Sequence, residues 1–97
     1  MDRRAEAHAW ESLGRIHQHA GDFGQAIACF ERSLTLHREL ADRYFVSKLL
    51  THLGDGHQAA GDTDAARNAW IEALADLDEL GHADADKVRA RLAGPGS

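Results

Sequence analysis

The sequence predicts an all-α fold: two antiparallel helical hairpins and a closing helix, five helices in all. Three observations predict it. A block recurs at an interval of forty residues, apolar residues within each block keep helical spacing, and the only proline, Pro95, lies in the last four of 97 residues. Nothing from Met1 to Ala93 therefore removes a helical N–H donor.

The recurrence pairs Leu13 with Leu53, Gly14 with Gly54, His17 with His57, Gln18 with Gln58, Ala20 with Ala60, Gly21 with Gly61 and Asp22 with Asp62. It continues through Ala26/Ala66, Leu34/Leu74, Glu39/Glu79 and Leu40/Leu80, with Trp10/Leu50, Phe30/Trp70 and Ser33/Ala73 as conservative matches. One register held this long is an internal repeat. In the first helix Ala9, Leu13, Ile16 and Ala20 form an apolar stripe; in the second, Ala26, Ile27, Phe30, Leu34 and His37 form another. Between the helices Gly21 and Gly61 are expected to end one helix in the left-handed conformation, and Asp22 and Asp62 to cap the next, with Gln25 completing a capping box at the first. Gly14 and Gly54 lie inside helices, where glycine costs about 1 kcal/mol relative to alanine. Close helix approach is the expected compensation, with Trp10, Phe30, Leu50 and Trp70 filling the volume on either side.

Asp42 is the expected N-cap of the third helix. Gly81 to Leu92 reads as a turn and a short helix with Asp84 as its cap and Val88 and Leu92 inward, covering the last hairpin's apolar face. The expected bounds are about 7–40 for the first repeat, 47–80 for the second and 84–93 for the closing helix, with a disordered tail over 94–97.

These residues make the chain resemble the tetratricopeptide repeat family. Its pattern W-x2-L-G-x2-Y, then A-x3-F, then A, reads as Trp10, Leu13, Gly14, His17, Ala26, Phe30, Ser33 and again as Leu50, Leu53, Gly54, His57, Ala66, Trp70, Ala73. Histidine stands at the tyrosine position in both copies, and the interval is forty where the family more often has 34. The resemblance implies a helical-hairpin solenoid that binds protein or peptide without catalysis. The run from Leu53 to Trp70, with Leu80 to Leu92, is similar to the C-terminal end of actinobacterial transcriptional regulators that join a DNA-binding domain, an NTPase switch domain and a repeat array. On that likeness the chain is the array's last two repeats, and the partner is another protein or another domain of the parent regulator. The family's concave face implies His8, Glu11, Arg15, Gln18 and His19 from the first repeat, and Lys48, Thr51, Asp55 and Gln58 from the second, as partner-binding residues. The set lacks the Lys/Asn/Arg combination with which some members clamp a C-terminal carboxylate, so that mode is not expected.

Other chemistries find less support. A net charge of −5 without a basic block disfavours nucleic acid and anionic membranes as direct partners. No apolar run reaches the length of a signal or membrane segment, and Cys29 has no disulfide partner, so the cytoplasm is the expected compartment. Of seven histidines, His17/His19 are two apart and His52/His57 five apart, so neither pair converges on one helix face and no metal or other cofactor is expected. Asp55, His57 and Asp62 do not make an acid/base site, because Asp62 is assigned to a cap and Asp55 to another face. Cys29 is read as a small apolar filler, His17 and His57 as half-buried rings, and Lys87, Arg89 and Arg91 as charges favourably placed near a helix C-terminus. With no covering repeat ahead of Trp10 and Ile16, pairing with a second copy is expected.

Overall fold

In a computed structural model that describes residues 2–94, the chain forms α1 (Arg3–His19), α2 (Phe23–Glu39), α3 (Arg43–Ala59), α4 (Thr63–Leu80) and α5 (Asp84–Ala93). Successive helices pack on one another, giving the hairpins α1/α2 and α3/α4 closed by α5. The helices α1, α3 and α5 form one layer and α2 and α4 the other. Pro95 to Ser97, most of the expected tail, lie outside the described residues.

Each hairpin begins four residues earlier than the sequence suggests. Asp2 and Asp42, forty apart, stand at the N-caps of α1 and α3, accepting hydrogen bonds from Arg4 N at 2.9 Å and Phe45 N at 3.4 Å. The next residues, Arg3 and Arg43, reach the far ends of their own hairpins and pair with Glu39 and Glu79. The repeat therefore includes an ion pair closing each hairpin at its open end.

Gly21 and Gly61 adopt φ of 80° and 90°, as a helix stop requires. The turn between hairpins has Ala41 in the same role, at φ 54°. A Cβ is disfavoured there. Ala41→Gly should therefore raise the free energy of unfolding by about 1 kcal/mol, read from the urea midpoint; a lower midpoint would show that chain entropy outweighs the relief.

The close-approach glycines behave as expected. A Cβ on Gly14 would lie 2.7 Å from Phe30 Cε1, and one on Gly54 only 2.2 Å from Trp70 Nε1. Phe30 and Trp70 are buried, and with Leu49, Leu50, Leu53, Leu77 and Val88 they form one continuous core. Ser33 is buried at the position where the second repeat has Ala73, and its hydroxyl donates to the Ala7 carbonyl at 2.7 Å.

Three details of the helices sharpen or correct the sequence reading. The stripe Ala9, Leu13, Ile16, Ala20 faces outward, with Leu13 40% and Ile16 64% exposed, while Ala7, Glu11 and Gly14 are the buried positions of α1. The equivalent residues of α3 forty positions on, Leu49, Leu53 and Gly56, are buried, with Ile27 of α2 lying 3.3 Å from where a Gly56 Cβ would be. Periodicity marks an apolar face without saying which neighbour covers it, and α1 has a helix packed on one side only. Trp10 does not share this open face; its indole lies under the Arg32 guanidinium at 5.1 Å. Second, Asp22 makes no side-chain cap bond, so the capping box with Gln25 is not formed; its carboxylate lies 3.7 Å from His17 Nδ1 instead. Asp62, the repeat partner, does cap, accepting from Ala65 N at 3.1 Å. Third, α5 is capped by Ala83 without a side-chain bond, and Asp84 is its first helical residue, accepting from the Tyr44 hydroxyl at 3.3 Å.

Candidate interaction face

Polar side chains knit the layer of α1, α3 and α5, among them Tyr44 to Asp84 and Arg4 to Asp42, and two further places gather several groups each. At the first, Glu11 of α1 is 5% exposed, although the family pattern places it on the open face. One carboxylate oxygen meets Lys48 Nζ at 3.3 Å and His52 Nε2 at 3.8 Å, both from α3; the other lies 3.7 Å from His8 Nδ1. A buried carboxylate needs such partners, since desolvating it alone costs several kcal/mol. Beneath it is His37 of α2, wholly buried, its ring stacked on Phe45 at 5.0 Å and edge-on to His8 at 5.2 Å. Neither nitrogen of His37 has a hydrogen-bond partner. Leaving a buried polar group unmatched costs about 1–3 kcal/mol.

At the second place Asp55 of α3 is a shared acceptor. Arg91 of α5 contacts its two oxygens at 2.7 and 3.1 Å, and Trp70 of α4 donates to it at 3.2 Å. Asp55 is thus internally engaged, and Arg91, read from sequence as a dipole partner, is a strut between α3 and α5. Arg89 is similarly tied, to Asp78 at 2.5 Å and Asp86 at 2.9 Å. Between the two places is a hollow of about 160 Å³ lined in part by Tyr44, Lys48, Thr51, His52, Lys87 and Arg91.

Of the expected partner-binding residues, Arg15, His19 and Gln58 are exposed, and His8, Gln18, Lys48 and Thr51 are half-buried. Thr51 donates its hydroxyl to the Ser47 carbonyl at 3.0 Å. Glu11 is the correction, a buried node that holds α1 to α3. Sequence reasoning missed Tyr44, His52, Lys87 and Arg91. Carrying the forty-residue register on into α5 sets Arg91 level with Glu11 and Thr51 and would have found it, whereas Lys87 aligns with Ala7 and Ser47 and would not have been found. The sequence reading weighed histidine pairs within one helix, and the structure brings together a different set. His8 and Glu11 are three apart on α1, and His37 joins them from α2, with one ligand-type atom of each residue lying within 4.8 Å of the others.

Burial sets the acid–base behaviour of this layer. It pushes the His37 pKa below the ordinary 6.5; His8 and Arg4 add to the depression, while Asp42 and Glu11 oppose it. Burial also lowers His52, with Lys48 and Arg15 adding and Glu11 and Asp55 opposing. Because the folded values lie below the unfolded one, stability is fully present above pH 6.5 and falls as pH drops below it toward the folded values. The urea midpoint, measured with a chelator present, should therefore fall between about pH 7.5 and 5.5, and His37→Leu should flatten the fall. A midpoint that rises on acidification would contradict this. Cys29 is buried, as expected of a filler, and burial raises its thiol pKa away from reactivity.

The sequence model of the tetratricopeptide repeat family matches residues 5–79. The chain belongs to that family. As a tetratricopeptide repeat protein it is similar to the regulatory protein AfsR of Streptomyces griseus, with 35% identity over 80 residues. Those residues are 82% of this chain, which spans 8% of that relative. The N-terminal domain of stress-induced protein-1 (STI-1) from C. elegans has the same fold, with a TM-score of 0.71 at 17% identity over 87% of this chain and 65% of that one. Among the described residues no helix is long and apolar enough to cross a membrane.

Proposed function

We propose that the chain is a non-catalytic protein-interaction module whose α1/α3/α5 layer receives an acidic segment of another protein or of a parent regulator. The observation that carries this reading is the hollow between α3 and α5. On a chain of net charge −5, the cations Lys48, Lys87 and Arg91 gather around it, with Asp84 as the one acidic residue in its lining. Lys48 is paired with Glu11 at 3.3 Å, Arg91 with Asp55, and Lys87 lies 3.6 Å from Asp84, so the local charge is balanced. An acidic segment would bind by exchanging with these carboxylates, at Lys87 most readily since its side chain is 75% exposed, beside the Tyr44 hydroxyl and the apolar Leu77 and Val88. Carboxylates of such a segment would compete for these cations, so that binding is weakened by salt. The similarity to a regulatory protein supports a setting inside a bacterial signalling or transcriptional regulator.

The test is an amide-shift titration of the chain with a glutamate-rich peptide and with its glutamine counterpart. Shifts clustered at Tyr44, Lys48 and Lys87 with the acidic peptide alone, weakened by Lys48→Ala and by added salt, support the reading. Equal shifts with both peptides, or shifts confined to α2 and α4, would overturn it.

A second reading, a self-associating scaffold, has its own observation. The outward Leu13 and Ile16 belong to the face that α3 buries against α2. Two chains related by a twofold axis would cover that face reciprocally. Sedimentation equilibrium should give an average mass rising above 10.6 kDa with concentration, and Ile16→Lys should restore the monomer. A strict monomer throughout the accessible range would exclude this reading.

A further inference from the structure

The geometry points to a divalent transition-metal site, of the kind that takes Zn²⁺, formed by His8, Glu11 and His37. Three features converge on it. His8 and Glu11 are three residues apart on α1, so the helix presents an imidazole and a carboxylate on one face. His37 arrives from α2 wholly buried, with both ring nitrogens lacking any partner. One ligand-type atom from each of the three lies within 4.8 Å of the others.

A tetrahedral Zn²⁺ with bonds of about 2.0–2.1 Å sets its ligand atoms about 3.4 Å apart. The three side chains must therefore close by an ångström or so. His8, whose side chain is 41% exposed, has the freedom to do most of that by rotating. The donor set of two imidazoles and one carboxylate suits Zn²⁺, Co²⁺ or Ni²⁺ and is too nitrogen-rich for Mg²⁺ or Ca²⁺. Glu11 divides its work between its oxygens: Oε2 takes Lys48, with His52 Nε2 3.8 Å off and not hydrogen-bonded, leaving Oε1 on the side of His8. Phe45 packs edge-on to His8 at 4.9 Å and stacks on His37, holding the two rings near each other. The fourth position would open toward solvent past His8 and hold water, as in sites with three protein ligands. None of the three ligands lines the hollow between α3 and α5, although Glu11 also meets Lys48 and His52 of that lining. The metal titration reads the site with no acidic peptide present, so that failure of one reading is distinguishable from failure of the other.

The experiment uses the tag-free chain, stripped with chelator and titrated with Zn²⁺ by calorimetry and with Co²⁺ by visible absorption. One equivalent per chain is expected, with the d–d bands of nitrogen/oxygen-ligated cobalt and a melting temperature that rises with Zn²⁺. Loss of an outer-shell partner weakens metal sites by about 10- to 100-fold, so loss of the ligand in His8→Ala should weaken binding at least about tenfold. Glu11→Gln should weaken it likewise. His19→Ala, altering an exposed histidine of the same helix, should leave it unchanged. His8 is half-exposed, so its variant folds and the comparison stands even if changes at His37 unfold the chain. No saturable binding, or binding that His8→Ala leaves intact, would overturn the assignment.

Discussion

Trp70→Ala should lower the free energy of unfolding by about 3–5 kcal/mol, the cost of truncating a large aromatic side chain in a core. The informative experiment pairs it with Gly54→Ala. In the native background Gly54→Ala should destabilise by about 1–3 kcal/mol, because the new Cβ would fall 2.2 Å from Trp70 Nε1 and 2.3 Å from Cδ1. Helix propensity alone predicts the opposite sign, a gain of about 1 kcal/mol. Moving the indole would also disturb its hydrogen bond to Asp55, the group that Arg91 holds from α5. In the Trp70→Ala background the obstruction is gone, and Gly54→Ala should be neutral or stabilising. The double-mutant cycle thus isolates the Gly54–Trp70 contact as a coupling. Additive effects in urea denaturation would mean that the glycine is retained for some other reason, and an unchanged midpoint for the bulkier Gly54→Leu would be equally damaging.

Leu49→Ala should cost about 2–5 kcal/mol, comparable to a change inside a hairpin although its main effect falls between hairpins. Leu49 is wholly buried and lies seven residues before Gly56, on the face of α3 that meets α2. Stability in a solenoid is the sum of what each unit contributes and what each junction contributes. With two hairpins there is one such junction, and weakening it should separate their unfolding. Calorimetry should show a lowered and broadened transition, with the van't Hoff enthalpy falling below the calorimetric one. A sharp two-state transition at the native temperature would mean that α2 and α3 contribute little to each other.

Much of this architecture was legible in the sequence because the repeat states it twice. Gly14 with Phe30 and Gly54 with Trp70 keep the same spacing, so a helix-weakening glycine and the ring that needs its space identify each other. The turns at Gly21 and Gly61 were equally readable, since a left-handed stop demands a particular residue. The corrections concern features that depend on a third element. Whether Leu13 and Ile16 face a neighbour is a property of the neighbour. Glu11 is charged and occupies an open-face position of the pattern, yet Lys48 and His52 arrive from α3 to bury it. Asp55 and Arg91 are 36 residues apart and belong to different units, so no local spacing announces their bond. The His8, Glu11, His37 cluster escaped for a related reason: two of its three residues are an i,i+3 pair, and the third comes from the returning helix. One readable sign was passed over, since Asp2-Arg3 and Asp42-Arg43 keep the same forty-residue register as the glycines.

That last pair changes where a protein engineer would cut. The landmarks that catch the eye, Trp10 and Leu50, lie well inside their helices, whereas the ion pairs from Arg3 to Glu39 and from Arg43 to Glu79 show where each tile latches onto itself. A cassette running from Asp42 through Gly81 carries its own cap, its own latch and a glycine hinge at its trailing edge. Spliced in tandem ahead of α5, it would lengthen the array without leaving a half-made joint, and the unit of construction would be set by electrostatics as much as by the apolar pattern.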